Sequence, residues 1–463
     1  MTMAEISLPA GAFEPVTAAR EIHEISRPSL SYWQDAWLRL KRNQRALASL
    51  YIIIALLLFT TLGPFVWRVN PSSQDVDQVS QPPLADRAAI VVPPYEPWEG
   101  ITANVAAATG PLTLQLAEPA TTQSVRLTWT PAPNAAGYRI YRNILAPGPQ
   151  RDLGVPLGEV YGADHVSFED RLNLEPKRYY YAVVPLDAAD VDQPDDARLV
   201  VDVKRVITAN LAKERGLVPP GTALKPGDSV RLAVHPFGTD SLGRDMLARL
   251  MYGARVSLFI GIVAPLCYVL IGILYGSAAG FVGGTTDQVL MRITDFIIAL
   301  PFLLFMILFR IAFGIGPGES GIFPLLVALV VLSWPGTARL VRGQILQIRE
   351  EAYISASRLL GAQTGYLILR HMIPNTLGVI LVTLTFAVPG AIFTEAFLSF
   401  IGMGVAPPTP SWGSMCNDGL KTMLTHPHEL IFPALFISIT VLAFNLLGDG
   451  LRDALDARMR SRE

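Results

Sequence analysis

The sequence predicts a mainly α-helical membrane protein of six spans with an all-β sandwich inserted after the first, and three observations carry that prediction. Six runs are apolar and long enough to cross a hydrocarbon core, which takes about 20 residues of helix. Of the 463 residues, 51% are hydrophobic and only 16% charged, with a mean hydropathy of +0.37, a balance too apolar for an ordinary soluble chain. Between the first two runs the pattern changes to short alternating segments separated by turn residues, which is how antiparallel strands read.

The expected spans are residues 46–67, 256–281, 294–313, 320–338, 372–398 and 430–448. Asp295 and Arg310 fall near the ends of the third, where side chains can reach the headgroups. The first run follows a polar stretch, residues 1–45, and lacks a small-residue cleavage site, so a retained anchor is expected. Pro265, Pro301, Pro335 and Pro389 punctuate the spans as hinges or kinks.

Orientation follows from the basic residues of the short connections. Arg39, Lys41, Arg42 and Arg45 precede the first span. Arg339, Arg342, Arg349, Arg358 and Arg370 lie between the fourth and fifth, and Arg452, Arg458, Arg460 and Arg462 fill the tail. The opposite connections are nearly bare, with no base in GIGPGES and only Lys421 in residues 402–429. Both termini are therefore expected in the cytoplasm of a multi-pass protein of the cytoplasmic (inner) membrane, with the sandwich outside.

The expected order is a cytoplasmic segment (1–45), the first span (46–67), an extended Pro-rich linker (68–110), the sandwich (111–206) and a return segment (207–253). A five-helix core (254–450) and a cytoplasmic tail (451–463) follow. In the sandwich, VRLTWTPAPNAAGYRIYR and FEDRLNLEPKRYYYAVVPLDA resemble a fibronectin type III domain. The resemblance makes Trp129 the buried tryptophan of the second strand and one of Tyr179, Tyr180 or Tyr181 the corner tyrosine, without settling which. No paired carboxylates, nucleophile with base, or histidine cluster occurs there, and His165 stands alone, so a docking or spacing module is expected and not a catalyst.

The stretch YISASRLLGAQTGYLILRHMIPN, Tyr353 to Asn375, reads as two short helices separated by Gly361 to Gly365 and stopped by Pro374. By its residues alone it is an amphipathic connector on the membrane surface. Its order, Ser355, Ala356, Ser357, three residues, Gly361, nine residues, then His371, Met372, Ile373 and Pro374, resembles the EAA loop of ATP-binding-cassette (ABC) importer permeases, E-A-A-x3-G-x9-I-x-L-P. Serine stands where that family has glutamate, at Ser355, and where it has the second alanine, at Ser357. Glu351, four residues before Ser355, is the expected substitute for the missing charge.

Two further stretches, HPFGTDSLGRDMLARLMYGARVSL (235–258) and FTEAFLSFIGMGVAPPTPSWGSM (393–415), resemble the second, C-type permease subunit of the dipeptide and oligopeptide importers. The tail GDGLRDALDARM departs from that pattern at Ala457, where proline is common. The resemblance implies the type I ABC importer permease fold, with a coupling loop at 350–374 formed by Glu351, Ser355, Ala356, Ser357, Gly361, His371 and Pro374. It also implies an outer entry motif at Asp240, Gly243, Arg244 and Asp245. With Arg249, the charged members of that motif are spaced as a local ion-pair network on an outer helix. Asp295, Glu395 and Trp412 are candidates for the transport pathway or for a packing network, since an ionisable group at membrane depth is costly unless it is used.

No lysine follows a glycine in the G-x4-G-K-[ST] arrangement, so the chain is expected to bind no nucleotide, with ATP and Mg²⁺ held by partner chains. Cys267 and Cys416 are the only cysteines, too few for a disulfide framework or a thiolate metal site, and no metal is expected. A net charge of -2 argues against nucleic acid. The expected partners are a second permease subunit in a heterodimer, two ABC ATPase subunits, an extracytoplasmic substrate-binding protein and the lipid bilayer. The expected activity is peptide import by alternating access, not an enzymatic reaction. The competing readings are a permease for nickel or another small solute of the same subfamily and an ion-gradient-driven secondary transporter, the latter disfavoured by the lack of internal repeats.

Overall fold

A computed structural model describes residues 32–103, 111–147, 153–219, 221–313 and 320–455. Its helices are α1 (Tyr32–Arg42), α2 (Gln44–Val66), α3 (Ala209–Glu214), α4 (Met246–Val282), α5 (Gly284–Ala299), α6 (Phe302–Ala312), α7 (Ile322–Arg349), α8 (Ala352–Leu359), α9 (Thr364–Tyr366), α10 (Ile373–Phe400), α11 (Trp412–Leu420) and α12 (His428–Leu455). Among the described residues, α2, α4, α7, α12 and the continuous run from Thr364 to Phe400 are long and apolar enough to span a membrane. The α5–α6 pair makes a sixth if it counts as one span.

The third expected span, 294–313, is corrected by that pair. It is not one helix: α5 and α6 meet at 85°. The break is at Leu300, extended at ψ 127°, and Pro301, which stands as the N-cap of α6. Proline lacks an N–H and forces the preceding residue out of helical geometry. The fourth span continues as helix well past residue 338, so Arg339, Arg342 and Arg349 are carried on α7 and not in a loop.

The expected stop at Pro374 is corrected too. Helix runs unbroken through it, because the preceding turn, Leu367–Met372, is π-helical. A widened turn ahead of a proline relieves its ring clash and leaves less of the hydrogen-bond ladder to lose.

Within the bundle, α4 and α7 lie closest. Gly272, Gly276 and Gly280 form a ridge at four-residue spacing. A Cβ on them would stand 2.6 Å from Thr337, 2.3 Å from the Ala338 carbonyl and 2.9 Å from the Arg342 carbonyl. Two apolar helices in lipid gain no hydrophobic free energy by meeting, so close backbone approach at small residues is what holds them.

Two β units fill the segment between α2 and α4. Strands β1 (Ala88–Val92), β9 (Val206–Thr208) and β10 (Ser229–Arg231) form a small sheet in the order β10-β1-β9. There Ala89, Val91, Ile207, Ala212, Val230 and Leu232 share a core. Ala88–Val92 falls in the stretch read from the sequence as extended linker; its partners lie more than a hundred residues downstream, beyond any local pattern.

The second unit has strands β2 (Leu114–Leu116), β3 (Val125–Trp129), β4 (Gly137–Asn143), β5 (Pro156–Tyr161), β6 (Ser167–Asp170), β7 (Arg178–Leu186) and β8 (Ala197–Asp202). Sheet β2-β3-β6 faces sheet β5-β4-β7-β8 across a core of Leu127, Trp129, Tyr138, Ile140, Tyr179 and Tyr181. Trp129 packs against Tyr138 with ring centroids 5.2 Å apart. Alternation along β7 decides among the three tyrosines: Tyr179 and Tyr181 point inward and Tyr180 does not. The Tyr179 hydroxyl accepts the Glu175 N–H at 3.0 Å, which is the corner bond. Tyr181 donates to the buried Asp170 at 2.6 Å; burial, then this carboxylate, raises its phenol above the ordinary value.

Gly276→Ala tests the α4–α7 contact. Its new methyl meets backbone, and overpacking of that kind costs about 1–3 kcal/mol. A thermal-unfolding scan in detergent should show a lower midpoint for Gly276→Ala, whereas Gly390→Ala, whose Cβ position is open, should leave it unchanged.

Candidate functional site

The bundle has two chemically distinct ends. Trp67, just past the end of α2, donates its indole N–H to Asp245 at the head of α4, 3.1 Å away, so α2 and α4 are antiparallel. His428 at the start of α12 lies 3.1 Å from the Thr239 carbonyl at the same end. At the other end, Ala36 and Leu40 of α1 pack with Ala46, Ala454 and Leu455. The Arg349 guanidinium closes on the Gly280 and Phe281 carbonyls at 3.3 and 3.4 Å.

The α8 segment lies at this second end. Glu351 is the N-cap of α8, with φ -70° and ψ 142°. Its backbone carbonyl accepts the Ile354 and Ser355 N–H groups at 3.1 and 3.2 Å, while its side chain makes no capping bond. Glu351 thus precedes the helix, and its side chain is not in helical register with Ser355, as four-residue spacing had implied. Ile354 is fully buried with Ile345 and Met372 and pins α8 to its neighbours. Tyr353 accepts from the Asn375 side chain at 2.9 Å, and Arg358 sits over the Phe281 ring. Ser357 Oγ donates back to the Tyr353 carbonyl at 2.8 Å.

Gly361 ends α8. Its N–H bonds the Arg358 carbonyl at 3.0 Å and the Ala362 N–H bonds the Ser357 carbonyl at 3.1 Å, a Schellman arrangement that needs the left-handed φ of +87° found there. The helix after the turn begins at Thr364, so Gly365 belongs to helix and not to the linker. His371 packs edge-on to Tyr366, ring centroids 5.3 Å apart, and its carbonyl accepts from Asn375 at 2.7 Å. Ser355, Ala356 and Pro374 are exposed. Leu359 and Leu360 are each 89% exposed, on a segment whose inner face is firmly seated.

At the β end, Asp240, Arg244 and Arg249 are all buried. Arg244 Nε meets Asp240 at 2.7 Å, Arg249 also pairs with Asp240, and both guanidinium groups reach Asp418 of α11 at 3.2 and 3.3 Å. Only Arg249 of these lies on α4, since Asp240 and Arg244 occupy the turn before it. Asp245 stands apart from the arginines as the N-cap of α4, accepting from Ala248 N–H at 2.6 Å and lying 2.6 Å from His235 Nδ1. Gly243 has φ +71°, and a Cβ there would stand 1.8 Å from the Asp75 carbonyl, so no other residue fits. Sequence reasoning missed Asp418, Trp67 and His235. Asp418 had a signal, as the one acid in the short helix that follows Trp412.

The three candidates for the pathway or for a packing network stand in different surroundings. Trp412 is wholly buried, with its indole N–H on the Leu250 carbonyl at 3.1 Å and its backbone N–H on Ser257 Oγ at 3.3 Å. Glu395 is completely buried, with the Ser399 hydroxyl donating to one carboxylate oxygen at 2.8 Å and the other carboxylate oxygen without a partner among the described residues. Asp295 pairs with Arg339 at 2.5 Å and joins α5 to α7. Among the described residues no group of three His, Cys, Asp or Glu could hold a metal.

The family model for the binding-protein-dependent transport system inner membrane component matches residues 270–461, and that for the N-terminal TM domain of oligopeptide transport permease C matches residues 31–83. The oligopeptide transport system permease protein OppC of Bacillus subtilis is 49% identical over 226 residues, 49% of this chain and 72% of that protein. The chain belongs to this permease family. The dipeptide transport system permease protein DppC of the same organism is 51% identical over 229 residues, 49% of this chain and 70% of that protein. The glutathione transport system permease protein GsiD of Pectobacterium atrosepticum is 42% identical, over 50% of this chain and 74% of that protein. The chain is a membrane component of a transport system and not an enzyme. Permeases of this family work with ATPase and substrate-binding partners and a second permease. The two models leave residues 84–269 between them, the stretch that holds both β units.

Asp240→Asn should expose the weight of the β-end network. Breaking a buried pair that leaves charge uncompensated costs about 3–5 kcal/mol, so the unfolding midpoint should fall steeply. Asp418→Asn, at a site one-third exposed, should cost about 1 kcal/mol or less.

Proposed function

We propose that the chain is the C-type permease subunit of a peptide importer in the cytoplasmic membrane, paired with a second permease as a heterodimer. The observation that carries this reading is the identity of about half the matched residues to an oligopeptide and a dipeptide permease. Two ABC ATPase subunits hold ATP and Mg²⁺, and an extracytoplasmic binding protein delivers the peptide.

The side assignment rests on charge. Arg39, Lys41, Arg42, Arg45, Arg349 and Arg358 share one end of the bundle, which is cytoplasmic by the distribution of basic residues. The β units then face outward. The three-on-four sheet order, the buried Trp129 and the Tyr179–Glu175 bond support a fibronectin type III-like sandwich that docks or spaces the binding protein above the pore. The helical core supports a type I importer fold.

In this reading α8 is the coupling helix. An ATPase subunit covers Leu359 and Leu360 beside Ser355 and Ala356, and Glu351 offers it an exposed carboxylate. Because Ile354, Tyr353 and Arg358 tie α8 to α7, α10 and α4, ATP-driven closure of the motor moves those helices with it and reorients the cavity between the two permeases.

The complete transporter in proteoliposomes should take up labelled di- or oligopeptides in an ATP-dependent way. Uptake of nickel without any peptide uptake would overturn the substrate class. Gly361→Ala forces a Cβ into left-handed backbone, at about 1–2 kcal/mol. It should lower peptide-stimulated ATP hydrolysis several-fold with membrane insertion unchanged, and Glu351→Gln should lower it to a smaller extent. Unaltered coupling in Gly361→Ala would remove α8 from the coupling role.

A further inference from the structure

Helix α1 buries one stripe and leaves another uncovered. Ala36 and Leu40 pack against α2 and α12, while Trp37 and Leu38 are 46% and 45% exposed. Each exposed apolar residue has a base four positions later on the same face, Lys41 behind Trp37 and Arg42 behind Leu38. Lys41 Nζ lies 5.2 Å from the Trp37 ring centroid. Arg39 is engaged with Asp35 at 3.3 Å, whereas Lys41, Arg42 and Arg45 are exposed.

The chain itself fixes where this face lies. Only Asn43 separates α1 from α2, and Asn43 caps α2 through its side chain, which accepts from Arg45 and Ala46 at 3.2 and 3.3 Å. As α2 is long and apolar enough to span a membrane, Arg45 in its first turn and Lys41 and Arg42 just ahead of its cap Asn43 stand at headgroup depth. An aromatic and a leucine beside bases at that depth suit the boundary between acyl chains and headgroups.

We propose that α1 and the first turn of α2 form a binding site for anionic phospholipid. Trp37 and Leu38 enter the acyl boundary, and Lys41, Arg42 and Arg45 hold the phosphate headgroup. The lipid holds α1 down over the joint between α2 and the end of α12.

The test uses the full-length permease in nanodiscs of phosphatidylcholine alone or mixed with phosphatidylglycerol. Trp37 emission, taken as the difference between wild type and Trp37→Phe, should be quenched by both brominated lipids, and about twofold or more strongly by brominated phosphatidylglycerol. A basic residue near an anionic surface contributes a factor of about five in binding, so K41Q/R42Q/R45Q should abolish the preference while keeping the quenching by phosphatidylcholine. K41R/R42K/R45K should retain the preference. Equal quenching by the two lipids in the wild type, or a preference that survives the neutral variant, overturns the proposal. Absence of quenching by either lipid would mean that protein covers the face, and protection of Trp37 by inorganic phosphate alone would mean a soluble anion site; both overturn it.

Discussion

The glycine ridge of α4 against α7 is the contact on which the rest of the molecule depends. At 37 residues α4 is about 55 Å long, more than the thickness of a bilayer with its headgroups. It begins at the buried network of Asp240, Arg244, Arg249 and Asp418 and ends where Arg349 of α7 caps the Gly280 and Phe281 carbonyls. Two helices in van der Waals contact along their length cannot slide without losing that packing.

The two ends handle charge in opposite ways. At the β end, Asp240 and two arginines are shielded from water and Asp418 partly so, and their geometry is shared among the turn before α4, α4 itself and α11. Such groups are costly unless every partner is present, so they fix the docking of α11 on α4 with little freedom. At the α8 end the inner face is anchored by Ile354 and the outer face is bare leucine and serine. An exposed apolar pair on a rigid helix favours association with another chain.

The β units add a layer whose construction is independent of the membrane. The seven-stranded sandwich has its own core around Trp129, Tyr138 and Tyr179. The three-stranded sheet takes β1 from one side of the sandwich and β9 and β10 from the other, so the two ends of the inserted segment are stitched together before the chain enters α4. Gly243, pressed against the Asp75 carbonyl, fastens that junction to the first turn beyond α2.

The sequence by itself determined five of the spans, the strands of the sandwich and the turn at Gly361, because each is written in local periodicity. Apolar runs of span length, alternation in β3, β4 and β7, and a left-handed glycine at the end of α8 depend on neighbours only a few residues away. Tertiary structure decided what depends on distant partners. Ala88–Val92 became a strand through β9 and β10, and Asp418 joined Asp240 across more than 170 residues. Tyr179 and Tyr181 were separated from Tyr180 by which side of β7 met the opposing sheet, and Tyr179 from Tyr181 by the Glu175 N–H that its hydroxyl accepts. Glu395 and Trp412 are buried because α4 and α11 close around them, which the residues read alone do not show. The backbone of a span must satisfy its own hydrogen bonds in lipid and so can be read from the chain that carries it; a buried side chain is satisfied by whatever the fold brings to it.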